Sequence, residues 1–80
     1  MTTAQLPKAI LEKAVHLRNA VRTIYIELYL ARKPLDAEDI AKLVHHARAY
    51  VNMRLNQLED MGYVKSVHDG KTKLYEVVKD

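Results

Sequence analysis

The sequence predicts an α+β domain with its helices first and a β-hairpin last. Three observations carry that expectation. Apolar residues recur at helical spacing from Ile10 to Leu58, the period changes to that of strands after Gly62, and the two Pro and two Gly all fall where elements begin or end.

At 80 residues the chain has room for one core, so 1–80 is read as a single domain. It contains no cysteine, so neither disulfides nor thiolate-bound metal can brace it, and a second copy is an expected source of support. Hydrophobic residues at 49% and charged residues at 29% give an ordinary globular balance. No apolar run approaches the roughly 18 residues of a membrane span. Met1-Thr2-Thr3-Ala4-Gln5 lacks signal-peptide organisation. The expected setting is cytoplasmic, with no membrane partner. The net charge of +3 is modest, but its distribution is informative. No Asp or Glu lies between Ile40 and Leu58, a stretch holding Lys42, His45, His46, Arg48 and Arg54. Such a stretch suits phosphate, or is simply a solvated basic face.

Residues 7–31 read as one long helix. Pro7 suits a first turn, where its missing N–H costs nothing. Ile10, Ala14, Leu17, Val21, Ile24, Leu28 and Ala31 then recur at alternating four-and-three spacing. From Ile24 the helix is apolar nearly all round and belongs in the core. The earlier half has mainly one apolar stripe. It is expected to project and pair with a partner helix through Ile10, Ala14, Leu17 and Val21; a break near Asn19 is the alternative. Arg32 and Lys33 suit the C-terminal dipole, and Pro34 ends the helix before a stub of edge strand. The segment 36–61 then holds two helices. Asp36 caps the first, Glu38 and Asp39 favour its first turn, and it buries Ile40, Ala41 and either Val44 or Leu43. His45-His46-Ala47 interrupts the pattern. The next helix, from about Arg48 to Met61, turns Val51, Leu55 and Leu58 inward and stops at Gly62. Residues 63–78 contain two β-prone segments flanking Asp69-Gly70, a strong signal for a two-residue hairpin. The order matches a winged helix-turn-helix: three helices plus a C-terminal β-hairpin wing, with an extended N-terminal helix.

Two stretches sharpen this. Leu58-Glu59-Asp60-Met61-Gly62-Tyr63-Val64 resembles the end of the recognition helix in many winged-helix regulators, Leu-Glu-x-x-Gly-(aromatic or Leu)-(Val or Ile). Pro34-Leu35-Asp36-Ala37-Glu38-Asp39-Ile40-Ala41 resembles the start of their second helix, often Pro-Leu-Thr-x-x-Glu-Leu-Ala. With the Asp-Gly hairpin, the chain from Ile24 to Val78 is similar to the winged helix-turn-helix superfamily. That superfamily includes the multiple-antibiotic-resistance, arsenical-resistance and sugar-regulator types, and small archaeal and viral proteins. The resemblance implies a homodimeric transcriptional regulator, most simply a repressor, that binds double-stranded DNA in a sequence-specific way. One departure stands out. Where relatives carry Leu-Ser, the Ser capping the recognition helix and the Leu plugging the turn, this chain has His46-Ala47, and Ala47 cannot cap.

With Val51, Leu55 and Leu58 inward, the reading helix presents Arg48, Ala49, Asn52, Met53, Asn56 and Gln57 to bases. Arg suits guanine, Asn and Gln suit adenine, and Met53 suits a thymine methyl. Lys42, His45, Tyr50 and Arg54 suit phosphates, as do His68, Lys71, Thr72 and Lys73 of the wing. Taken singly, each is also an ordinary solvated side chain. Tyr25, Tyr29, Met61 and Tyr63 read as core, and Tyr75 reads as either hairpin packing or a wing contact. The four histidines, with no Cys, do not assemble a metal site, and no nucleophile motif or glycine-rich phosphate loop marks an enzyme. No cofactor is expected. Nor is a small-molecule effector, for want of room for a separate ligand domain. The competing readings are a winged helix used for protein–protein contact, a weakly specific architectural DNA binder and an RNA binder.

Overall fold

The computed structural model describes residues 6–78, so Met1 to Gln5 and the last two residues of the 1–80 domain lie outside it. The elements are α1 (Lys8–Val15), α2 (Asn19–Ala31), β1 (Leu35–Asp36), α3 (Ala37–Val44), α4 (Arg48–Asp60), β2 (Val64–Asp69) and β3 (Thr72–Val77). Ile24, Tyr25 and Leu28 of α2 sit at the centre. Around them close Ile40 of α3, Val51, Leu55 and Leu58 of α4, and Val64, Tyr75 and Val77 of the sheet. The three strands run in the order β1-β3-β2, all antiparallel, with Leu35 opposite Tyr75 and Ser66 opposite the same Tyr75. The strand stub after Pro34 thus becomes the edge strand of the wing.

The expected long helix over 7–31 is broken. α1 ends at Val15, Arg18 is extended, and Asn19 opens α2 at φ 52°, a left-handed conformation that Asn tolerates better than most residues. The corner returns α1 to its own domain, where Leu6, Ile10, Ala14 and Leu17 are all buried. This corrects the projecting dimer helix. Ile10, Ala14 and Leu17 are covered within this chain, and Val21 is half-buried on α2. The physical reason is core size: an 80-residue domain gains more by folding a spare apolar stripe onto itself than by holding it in solvent. Lys13 seats the returned helix with its ammonium 5.9 Å over the Tyr63 ring, which packs 5.6 Å from Tyr25.

The hairpin is also shifted by one residue. Asp69 pairs with Thr72, so the two loop residues are Gly70 and Lys71 rather than Asp69 and Gly70. Gly70 takes φ +63° at the first loop position, where a type II′ turn places its glycine.

Candidate nucleic-acid interface

The helix-turn-helix is built from local signals at each end. Asp36 accepts a hydrogen bond from the Asp39 N–H at 2.8 Å, an N-cap that starts α3. α3 buries Ala37, Ile40, Ala41 and Val44 and leaves Leu43 exposed. His45 then turns left-handed at φ 59°, and the His46 N–H returns to the Ala41 carbonyl. Ala47 occupies the N-cap of α4 and provides no side-chain acceptor there. α4 is held by Val51, Leu55 and Leu58, each fully buried. Its far end is closed by two bonds, Gly62 N–H to Glu59 and Tyr63 N–H to Leu58, with Gly62 at φ +81°. This paired closure around a left-handed glycine is the Schellman arrangement.

With one stripe buried, α4 shows three outward edges. Ala49 and Met53 are exposed in the middle. On the wing side lie Arg48, Asn52 and Asn56, all exposed. On the other side lie Tyr50 and Arg54, both half-buried. Here the His46 ring stacks on Tyr50 at 4.9 Å, and the Arg54 guanidinium covers the opposite part of the run, 5.0 Å from the Tyr50 centroid. Arg54 also donates to the Gln57 side-chain oxygen at 2.8 Å. The column His46–Tyr50–Arg54–Gln57 therefore replaces the missing Leu plug of the turn with a stack on the helix surface. It also engages Arg54 and Gln57 with each other on the helix surface.

The wing meets the helix from the other side. The Tyr75 ring is buried, and its hydroxyl lies 3.4 Å from Asn52 Oδ1 and 3.3 Å from Asn56 Oδ1. Glu59 near the end of α4 accepts from the Ser66 hydroxyl at 2.8 Å and pairs with Lys73 at 3.7 Å. Lys73 also sits 5.1 Å over the Tyr75 ring. Between the start of α4 and the hairpin tip runs a groove of about 390 Å³, lined by Arg48, Asn52, Lys71, Thr72, Lys73 and Tyr75, with Asp36, Ala37 and Glu38 at its α3 side. The groove brings residues 48 and 52 together with residues 71–73. His68 is exposed on β2. Lys42 and His45 are exposed on α3 and its turn, outside the groove lining, and Lys42 pairs with Glu38 at 4.0 Å.

The sequence alone leaves Tyr75 open between hairpin packing and a wing contact, and points to no side-chain contact of Glu59 or Ser66. No spacing rule links positions 52 and 56 to 75, so only the folded chain could find that contact. The i, i+4 spacing of Tyr50 and Arg54 on α4 is a usable signal for their part of the stack.

Two helices joined by a tight turn, the second exposed beside a β-hairpin, define a winged helix-turn-helix domain. Residues 17–79 match the model of the sugar-specific transcriptional regulator TrmB family, and the chain belongs to that family of DNA-binding transcriptional regulators. Among solved structures it is similar to one describing the DNA recognition and protein interaction domains of HOP2. That match has 26% identity and a TM-score of 0.67, and covers 75% of this chain and 100% of the other. It is also similar to the homodimeric winged helix-turn-helix DNA-binding domain of a possible ArsR-family transcriptional regulator from Mycobacterium bovis. There the identity is 24% and the TM-score 0.65, with 96% of this chain and 75% of the other covered, a likeness of fold alone. No curated protein matches the chain.

Proposed function

We propose that the chain binds double-stranded DNA in a sequence-specific way as a homodimer and represses transcription by occupying promoter DNA in the cytoplasm. One observation carries this reading. The exposed face of α4 from Arg48 to Gln57 is free of acids, and its Arg48 and Asn52 line one groove with the wing cations Lys71 and Lys73. A helix of that kind enters the major groove, and a basic hairpin reaches the flanking backbone. Arg48, Ala49, Asn52 and Met53 are the base-facing set. Asn56 and Gln57 stand further along. Lys42, His45, Tyr50, Arg54, His68, Lys71, Thr72 and Lys73 surround them as phosphate contacts.

The solved Mycobacterium bovis domain is described as homodimeric, which favours a dimer here. Two reading helices would then meet half-sites about one helical turn, roughly 34 Å, apart. Since Ile10, Ala14 and Leu17 face inward, the two-fold surface is proposed on the outer side of α1, around the half-buried Leu11 and Ile26 and the exposed Val15.

Titration onto random-sequence duplex DNA across salt concentrations, with light scattering alongside, tests the proposal. Affinity should fall steeply with salt, because each phosphate neutralised adds about 0.9 to the slope, and the mass should be that of a dimer. Absence of binding at low salt would instead favour a protein-interaction winged helix.

A further inference from the structure

We infer that Tyr75 is a positioning residue for base reading: its hydroxyl holds the carboxamides of Asn52 and Asn56 with their oxygens toward the wing and their amino groups toward DNA. This rests on the DNA-binding reading and deepens it, because it names the base edge that α4 is set to prefer.

Tyr75 lies on β3, only 1% exposed, pinned between Leu35 of β1 and Ser66 of β2. Its ring cannot follow a ligand. The hydroxyl emerges where α4 crosses the sheet, 3.4 Å from Asn52 Oδ1 and 3.3 Å from Asn56 Oδ1. The two Asn are one helical turn apart and exposed, so they need no partner for their own stability. A phenol has one proton, and here two carbonyl oxygens share it. Both bonds are correspondingly long.

The chemical consequence is an orientation. An Asn side chain free in solvent can flip and offer either its oxygen or its amino group. With each oxygen drawn to the same hydroxyl, α4 offers two amino groups, one turn apart. Amino groups seek acceptors, and in the major groove guanine presents two of them, N7 and O6. Bidentate pairing with adenine needs the same amide to accept from the N6 amino group, and an oxygen directed at Tyr75 is turned away from that position. Asn52 and Asn56 should therefore favour guanine over adenine, the reverse of the usual expectation for Asn.

The test compares duplexes selected from a random library by the wild-type protein and by Tyr75→Phe, which keeps the buried ring and removes only the hydroxyl. Selections with Asn52→Ala and Asn56→Ala locate the base positions these residues face. The wild-type protein should enrich guanine there. Tyr75→Phe should lose that preference over adenine by about tenfold, with its salt slope unchanged, which a mere loss of folding would not leave intact. An unaltered motif in Tyr75→Phe, or adenine at those positions in the wild-type selection, would overturn the inference. Should the Phe variant fold poorly, the wild-type base at those positions decides alone. Failure of the wild-type protein to bind random duplex at low salt would remove the DNA reading itself, and is seen before any selection begins.

Discussion

The Nε of Arg22 lies 3.1 Å from the carbonyl oxygen of Ala14, and the same nitrogen lies 3.1 Å from the carbonyl of Leu17. A side chain from α2 thereby adds a charged donor to the Ala14 carbonyl, which already accepts from the Leu17 N–H at 3.0 Å, and to the Leu17 carbonyl in the corner after α1. The bond also places a cation at the negative end of α1. It is the physical clasp of the corner that folds α1 onto its own domain.

Arg22→Ala should destabilise the domain by about 1–2 kcal/mol, because two part-buried carbonyls lose a charged donor. A thermal melt should fall by several degrees, and hydrogen exchange should quicken first in α1. DNA affinity below the melting range should stay unchanged. Uniform quickening across all helices would show that the corner has no local role.

Two substitutions separate the interior of α1 from its outer side. Leu17, 4% exposed, belongs to the core, and Leu17→Ala should cost about 3 kcal/mol in urea denaturation. Val15, 66% exposed, does not, and Val15→Glu should shift stability by no more than about 0.5 kcal/mol. Light scattering of the Glu variant should show a lower mass than the parent. A dimer that persists in Val15→Glu places the two-fold surface elsewhere.

Ala47 stands at the N-cap of α4 with φ −65° and ψ 145°, the backbone a capping residue adopts, but has no oxygen to accept from the first turn. Ala47→Ser should stabilise the domain by about 1 kcal/mol and raise the melting temperature by about 5 °C. An unchanged or lower melt would mean that the His46–Tyr50 stack already sets the turn against a cap.

Lys73 is held above its ordinary value of 10.5, first by hydrogen bonding with Tyr75, against an opposing effect of burial, with Glu59 adding to the rise. A lysine whose folded value is raised adds stability below the unfolded value and loses it as pH rises through the folded one. Lys73→Met should thus destabilise by a few tenths of a kcal/mol near neutrality, a small effect because the pair is exposed. The gap in urea midpoint between variant and parent should narrow as pH climbs past about 10.5. A gap that is constant with pH would assign the effect to packing on the Tyr75 ring.

Much of the reading helix was legible before folding. Asp36, Gly62 and the Val51, Leu55, Leu58 stripe are short-range signals, and each names one end or one face of an element. The hairpin was legible in kind but not in register. Asp69-Gly70 and Gly70-Lys71 both offer a glycine at a positive-φ position, and the choice falls to the pairing of β2 with β3. The Ile10, Ala14, Leu17 stripe was legible as apolar, yet the same spacing serves a helix that continues and one that turns back.

The sequence by itself determined the order of helices and hairpin from Asp36 onward, where α4 stops, and which of its faces is free of acid, because caps, periods and charge act over a few residues. Only the tertiary structure decided that α1 covers its own core and that Tyr75 holds Asn52 and Asn56. Those outcomes join residues far apart in the chain, such as Arg22 reaching back over the corner to Ala14 and Tyr75 of β3 reaching Asn52 and Asn56 of α4. Such contacts depend on the path of the whole backbone, and the strength of a hydrogen bond across them follows from a distance that no local pattern encodes.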